Sequence, residues 1–107
     1  MRLLGIDYGE KRVGLAITDE MRLTVRPLAT VLTKFALKEI SLLVEHQQVG
    51  AVVIGLPLSM DGTLHHKENF LAFLKQLRET IKIPVETQDE RLTTVESERM
   101  LSSKRHK

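Results

Sequence analysis

Cysteine is absent from the 107-residue chain. Without thiols there is no disulfide staple and no thiolate metal site, so any metal must be held by oxygen or histidine, and the composition suits a reducing compartment. Long apolar runs are missing as well. None approaches the roughly 18 to 20 residues that span a bilayer, and the opening Met1-Arg2-Leu3-Leu4-Gly5-Ile6-Asp7 meets an acid too early for a signal peptide. A cytoplasmic location with no membrane partner is therefore expected. The sequence holds neither an internal repeat nor a low-complexity linker. Its length is too short for two conventional domains with a cleft between them, so one domain over residues 1–107 is expected. What is present, 42% hydrophobic and 28% charged residues, is the balance of a globular protein. A net charge of +2 with a pI near 9.1 permits nucleic-acid binding without requiring it.

Hydrophobic patterning orders the elements. Arg2 to Asp7 and Val13 to Asp19 read as two strands joined by the turn Tyr8-Gly9-Glu10-Lys11, a link short enough to force an antiparallel hairpin. A third strand is expected around Leu23 to Arg26, ending where Pro27 stops pairing. From Lys34 to Gln48 the residues Ala36, Leu37, Ile40, Leu43 and Val44 share one helical stripe, with Thr33 as N-cap and Gly50 beyond the end. Ala51-Val52-Val53-Ile54 is the continuous apolar run of a central strand, closed by Gly55-Leu56-Pro57. Phe70, Phe73, Leu74, Leu77 and Ile81 mark a second amphipathic helix, and Pro84-Val85-Glu86-Thr87 opens a further strand. Thr93-Thr94-Val95-Glu96 has the spacing of a capping box, which predicts a last helix to about Leu101. The order β-β-β-α-β-α-β-α implies an α/β fold: a mixed five-stranded sheet, antiparallel meander plus right-handed parallel crossovers, with helices on both faces, the ribonuclease H-like arrangement.

Three segments carry the candidate chemistry. In Gly5-Ile6-Asp7-Tyr8-Gly9 a carboxylate ends a buried strand beside glycines that let a ligand approach, which suits presentation of a hard cation to phosphate oxygens; Lys11 and Arg12 add positive charge across the turn. The alternative is an Asp that caps the turn while Gly9 supplies positive φ. Gly55-Leu56-Pro57-Leu58-Ser59-Met60-Asp61-Gly62 leaves the central strand where open α/β sheets bind ligands, so Ser59 is a candidate phosphate contact, or the segment is an ordinary surface loop. His65 and His66 are adjacent and make a poor metal pair. Gln88-Asp89-Glu90-Arg91-Leu92-Thr93-Thr94 concentrates two carboxylates, a guanidinium and two hydroxyls in one turn. Asp89 and Glu90 alternate in a strand, so one of them shares a face with Asp7. Lys104, Arg105 and Lys107 form the most basic stretch, a phosphate-backbone contact or a solvated tail.

Taken together and in this order, Gly5-Ile6-Asp7-Tyr8-Gly9 with Lys11-Arg12-Val13-Gly14, Gly55-Leu56-Pro57 with Met60-Asp61-Gly62, and Asp89-Glu90-Arg91-Leu92-Thr93-Thr94 resemble the YqgF family, also called RuvX, of ribonuclease H-like proteins. The resemblance implies a nuclease that acts on structured RNA or branched DNA. Its work is described as processing the 5′ end of precursor 16S ribosomal RNA or as resolving Holliday junctions. It implies that Asp7 is the first-strand carboxylate of the catalytic set and that Asp89 or Glu90 supplies the second. Such carboxylates would hold Mg²⁺ or Mn²⁺ ions roughly 3.5 to 4 Å apart. Lys11, Arg12, Ser59, Arg91, Thr93, Lys104, Arg105 and Lys107 would then hold the phosphate backbone. The family also continues into a helix carrying a further catalytic Asp, so an incomplete carboxylate set is expected here, and a nucleic-acid-binding domain without catalysis is the alternative. A monomer and a homodimer both remain open. The Gly-x-Asp-x-Gly hairpin is also similar to the phosphate loop of actin-like ATPases and sugar kinases, but those close two domains over a nucleotide, and this chain has length for one.

Overall fold

The computed structural model describes residues 1–56 and 67–89. Alternation decides which side of the sheet each residue serves. In β1 (Arg2–Asp7), Leu4 and Ile6 enter the main core, which leaves Gly5 and Asp7 on the opposite face. β2 (Arg12–Thr18) repeats the pattern, with Val13, Leu15 and Ile17 inward and Gly14 and Ala16 opposite. The two strands pair antiparallel, as the short turn requires.

β3 (Val25–Leu32) completes the meander but corrects the expectation that pairing stops at Pro27. Pro27 sits opposite Ala16 and Ala29 opposite Leu15, so Leu28 is the extra residue of a bulge. A proline has no N–H to donate, and an edge strand at a bulge is where that loss is tolerated. The bulge lets the strand run past Pro27 to Leu32.

α1 (Thr33–His46) buries Ala36 and Ile40. Thr33 is its first helical residue rather than its N-cap; Leu32 holds that position and contributes no side-chain hydrogen bond. At the other end the left-handed turn falls on Gln48, with φ of 55°, and Gly50 already belongs to β4 (Val49–Leu56). β4 runs parallel to β1, and β5 (Val85–Asp89) runs parallel to β4. Between them α2 (Lys67–Thr80) buries Phe70, Phe73, Leu74 and Leu77. The sheet order is β3-β2-β1-β4-β5.

Both helical crossovers step in the same direction across this order, so two right-handed connections carry α1 and α2 to the same face. The core agrees, since Ile40, Phe70 and Leu77 join one cluster with Leu4, Ile6, Val13, Ile17, Val52 and Ile54. Tyr8, just past β1, packs its ring against Phe70 and Phe73 with centroids 5.5 and 5.1 Å apart. Each fully buried Leu, Ile or Phe contributes about 1.5 to 3 kcal/mol, so among the described residues this face carries most of the apolar burial. The opposite face holds mainly small residues, Gly5, Ala16, Ala51 and Gly55, and the helix expected from Thr93 to Leu101 lies outside the described residues.

Candidate active site

The strand register places five residues in one row across the sheet. Thr30 pairs with Gly14, Gly14 with Asp7, Asp7 with Gly55, and Gly55 with Gln88. Residues paired directly across a sheet share a face, so this row lies on the side away from α1 and α2. Asp7 is its centre, at the carboxyl end of β1, the end at which parallel strands of open α/β sheets bind ligands. It is exposed although β1 is the middle strand of the sheet.

The flanking glycines explain that exposure. A Cβ at Gly14 would lie 3.5 Å from the Asp7 Cβ, so any longer side chain there would crowd the carboxylate. Gly55, paired with Asp7 on the other side, carries no side chain either. The row edges a cavity of about 480 Å³ whose lining includes Asp7, Thr30 and Gln88 as polar groups, with Ala16, Leu28 and Val53 among its apolar walls. Among the described residues, this sets an exposed carboxylate beside an apolar floor.

The turn after Asp7 is bound from two sides. The Thr33 hydroxyl donates to the Gly9 carbonyl at 2.7 Å, and the Thr33 N–H donates to the Lys11 carbonyl at 2.9 Å. Asn69, in the first turn of α2, donates its amide to the Glu10 carboxylate. The φ of Gly9 lies outside the left-handed range. Its need for glycine is steric, because a Cβ there would come within 2.4 Å of the Arg12 carbonyl oxygen. Burial, with the Glu10 charge as the smaller cause, raises the Tyr8 hydroxyl pKa above its usual value of 10.0 and keeps the ring neutral.

Lys11 and Arg12 are both exposed past this turn. Arg12 precedes Gly14 by two residues in β2, which places it on the face of Asp7. The structure therefore brings Asp7, Lys11 and Arg12 to one end of the sheet. Asp89 ends β5 opposite Leu56, one position beyond the row of Asp7. Ser59, Glu90, Arg91, Thr93, Lys104, Arg105 and Lys107 lie outside the described residues, as do His65 and His66. No motif pointed to Thr30. Only its pairing with Gly14 across the bulged β3 brings it into the row, and that register cannot be read before the bulge is seen.

Among the described residues no three metal-ligating side chains cluster. Asp7 alone still fits a hard divalent cation, because Mg²⁺ retains most of its waters and takes only one or two carboxylates. Its oxygen chemistry and its clear flanks suit such an ion.

The whole chain, residues 1–107, matches the family model described as RuvX, Holliday junction resolvase. A protein of Endomicrobium trichonymphae, named as a candidate pre-16S rRNA nuclease, is 46% identical over 105 residues, covering 94% of this chain and 74% of its own. A protein of the same name from Syntrophus aciditrophicus is 43% identical, covering 95% of this chain and 71% of its own. Among solved structures, Thermus thermophilus RuvC in complex with Holliday junction substrate superposes with a TM-score of 0.62 over 84% of this chain. At 15% identity and 65% of the RuvC chain, that likeness establishes the fold alone.

Proposed function

The chain belongs to the RuvX family, and from that premise we propose that it is a metal-dependent nuclease of structured nucleic acid that processes the 5′ end of precursor 16S ribosomal RNA. The observation that carries this reading is Asp7, an exposed carboxylate at the end of the middle strand, standing between Gly14 and Gly55. The names of the relatives favour RNA as substrate.

In this reading Asp7 is a ligand of Mg²⁺ or Mn²⁺, and its partner comes from the acidic pair at the end of β5. Gln88 shares Asp7's row, and the second carboxylate is Asp89, which ends β5, or the Glu90 that follows it in sequence. A bound divalent cation supplies water activation and stabilisation of the leaving oxygen. Lys11 and Arg12, exposed on the same end of the sheet, hold the phosphate backbone by charge and without reading sequence.

Asp7→Asn tests the assignment. The variant keeps its fold and loses cleavage of a precursor ribosomal RNA in Mn²⁺ by about a hundredfold or more. In metal-free buffer it binds that RNA at least as tightly as the wild type, since one negative charge beside the phosphates is gone. Undiminished cleavage by Asp7→Asn would sink the reading. The description of the family as Holliday junction resolvases supports a second substrate, branched DNA. Faster cleavage of a four-way junction than of precursor RNA would favour it. Such a resolvase must cut a two-fold symmetric junction twice, so a dimeric mass in solution belongs with that outcome.

A further inference from the structure

Of the aromatic side chains, one Tyr and three Phe, three are spent on the core: Tyr8, Phe70 and Phe73 pack together. Phe35 is different. It is 54% exposed in the first turn of α1, which forfeits the burial energy that a phenyl ring normally contributes. Its surroundings are basic. Lys34 Nζ lies 5.3 Å from the ring centroid. The Thr33 N–H donates to the Lys11 carbonyl, and Leu32 pairs with Arg12, so the start of α1 is joined directly to the turn that carries Lys11 and Arg12. Lys38 and Glu39 follow one helical turn on, and Glu10 is engaged toward α2 by Asn69.

The hydroxyl of Thr33 strengthens the junction. It is spent on the Gly9 carbonyl, while the N-cap position at Leu32 goes without a side-chain bond. The helix start is tied to the neighbouring turn while its cap position, Leu32, carries no polar side chain, a departure from local preference of the kind that gathers at functional surfaces.

We infer that Phe35, with Lys34 and the adjoining Lys11, forms a subsite for unpaired RNA nucleotides beside the carboxylate end of the sheet: the ring stacks a splayed base and the cations hold its phosphates. An exposed ring framed by cations is how single strands are bound without sequence preference, because every base has a stacking face. Alone, an exposed apolar ring also suits a protein contact. Lys34 beside the ring, and Lys11 on the turn bonded to the start of the helix, favour a polyanion. The inference rests on the nuclease reading and narrows its substrate to RNA with unpaired nucleotides next to the stem.

The test uses the whole chain in metal-free buffer, with two probes: an RNA stem with a single-stranded 5′ extension, and the same stem with a blunt end. Phe35→Ala weakens binding of the extended stem about tenfold or more and leaves the blunt stem unchanged, whereas Phe35→Trp restores the wild-type affinity. Thr33→Val, which keeps shape but loses the hydroxyl, weakens the extended stem in the same direction, and Thr33→Ser restores it. Equal binding of the extended stem by wild type and Phe35→Ala overturns the subsite alone. So does a fall in solution mass caused by Phe35→Ala, which makes the ring a contact between copies. Wild-type protein that binds neither probe overturns the nuclease reading and the subsite with it.

Discussion

Replacing Gly9 by alanine puts one methyl group where the turn has no room. The added Cβ would lie 2.4 Å from the Arg12 carbonyl oxygen, closer than nonbonded carbon and oxygen ever approach. The obstacle is backbone, so no side chain can swing aside. The turn must open, and it is held from outside by the two Thr33 bonds to Gly9 and Lys11. Overpacking of this kind costs about 1 to 3 kcal/mol, which for a domain of this size lowers Tm by about 5 to 20 °C. Two other glycines serve as controls. A Cβ at Gly5 would meet its nearest atom, the Ala16 carbonyl oxygen, at 3.8 Å, and one at Gly14 would meet the Asp7 Cβ at 3.5 Å, both ordinary contacts. A strand glycine replaced by alanine without strain gains about 0.5 to 1 kcal/mol from the unfolded state. Thermal melts of the three variants therefore divide by sign: Gly9→Ala melts well below the wild type, and Gly5→Ala and Gly14→Ala melt at or above it. A Gly9→Ala protein as stable as the wild type would refute the steric account of the turn.

Other positions give independent checks. Gln48 holds φ of 55° at the end of α1, so Gln48→Gly relieves left-handed strain and raises stability by about 0.5 to 1 kcal/mol, seen as a higher urea midpoint. The Asp19 carboxylate accepts from the Thr24 and Leu23 N–H groups at 2.9 and 2.7 Å, and the Thr24 bond leads in lowering its pKa below 3.8. A lowered folded pKa contributes stability above the unfolded pKa and loses it as pH falls through the folded one. The stability difference between wild type and Asp19→Asn therefore shrinks on going from about pH 6 to about pH 2, and a constant difference would contradict the assignment. Tyr8 runs the other way. Its raised pKa contributes stability below the unfolded value near 10 that is lost as pH rises through the folded one, so Tyr8→Phe unfolds less readily in alkali than the wild type, measured by circular dichroism.

Most of the sheet was legible because its strands obey simple patterns. Ala51-Val52-Val53-Ile54 is apolar on both faces and became the core of β4 between β1 and β5, while the alternation in Val13, Leu15 and Ile17 fixed which side of β2 is buried. The misreadings fall where tertiary contacts overrule local preference. Pro27 looked like a stop and is carried through by an edge position and a bulge. Thr33 looked like a cap, and its hydroxyl is claimed by a carbonyl 24 residues earlier.

The sequence by itself determined the order of elements and the presence of an acidic strand end at Asp7, because hydrophobic period and turn chemistry are local properties. Tertiary structure decided which residues stand beside that acid. Register aligned Gly14, Gly55, Thr30 and Gln88 with Asp7, and the parallel crossovers brought the first turns of both helices against the loop that follows it. These are pairings between segments far apart in the chain, set by how the strands of one sheet hydrogen-bond to one another. No spacing along the sequence encodes them.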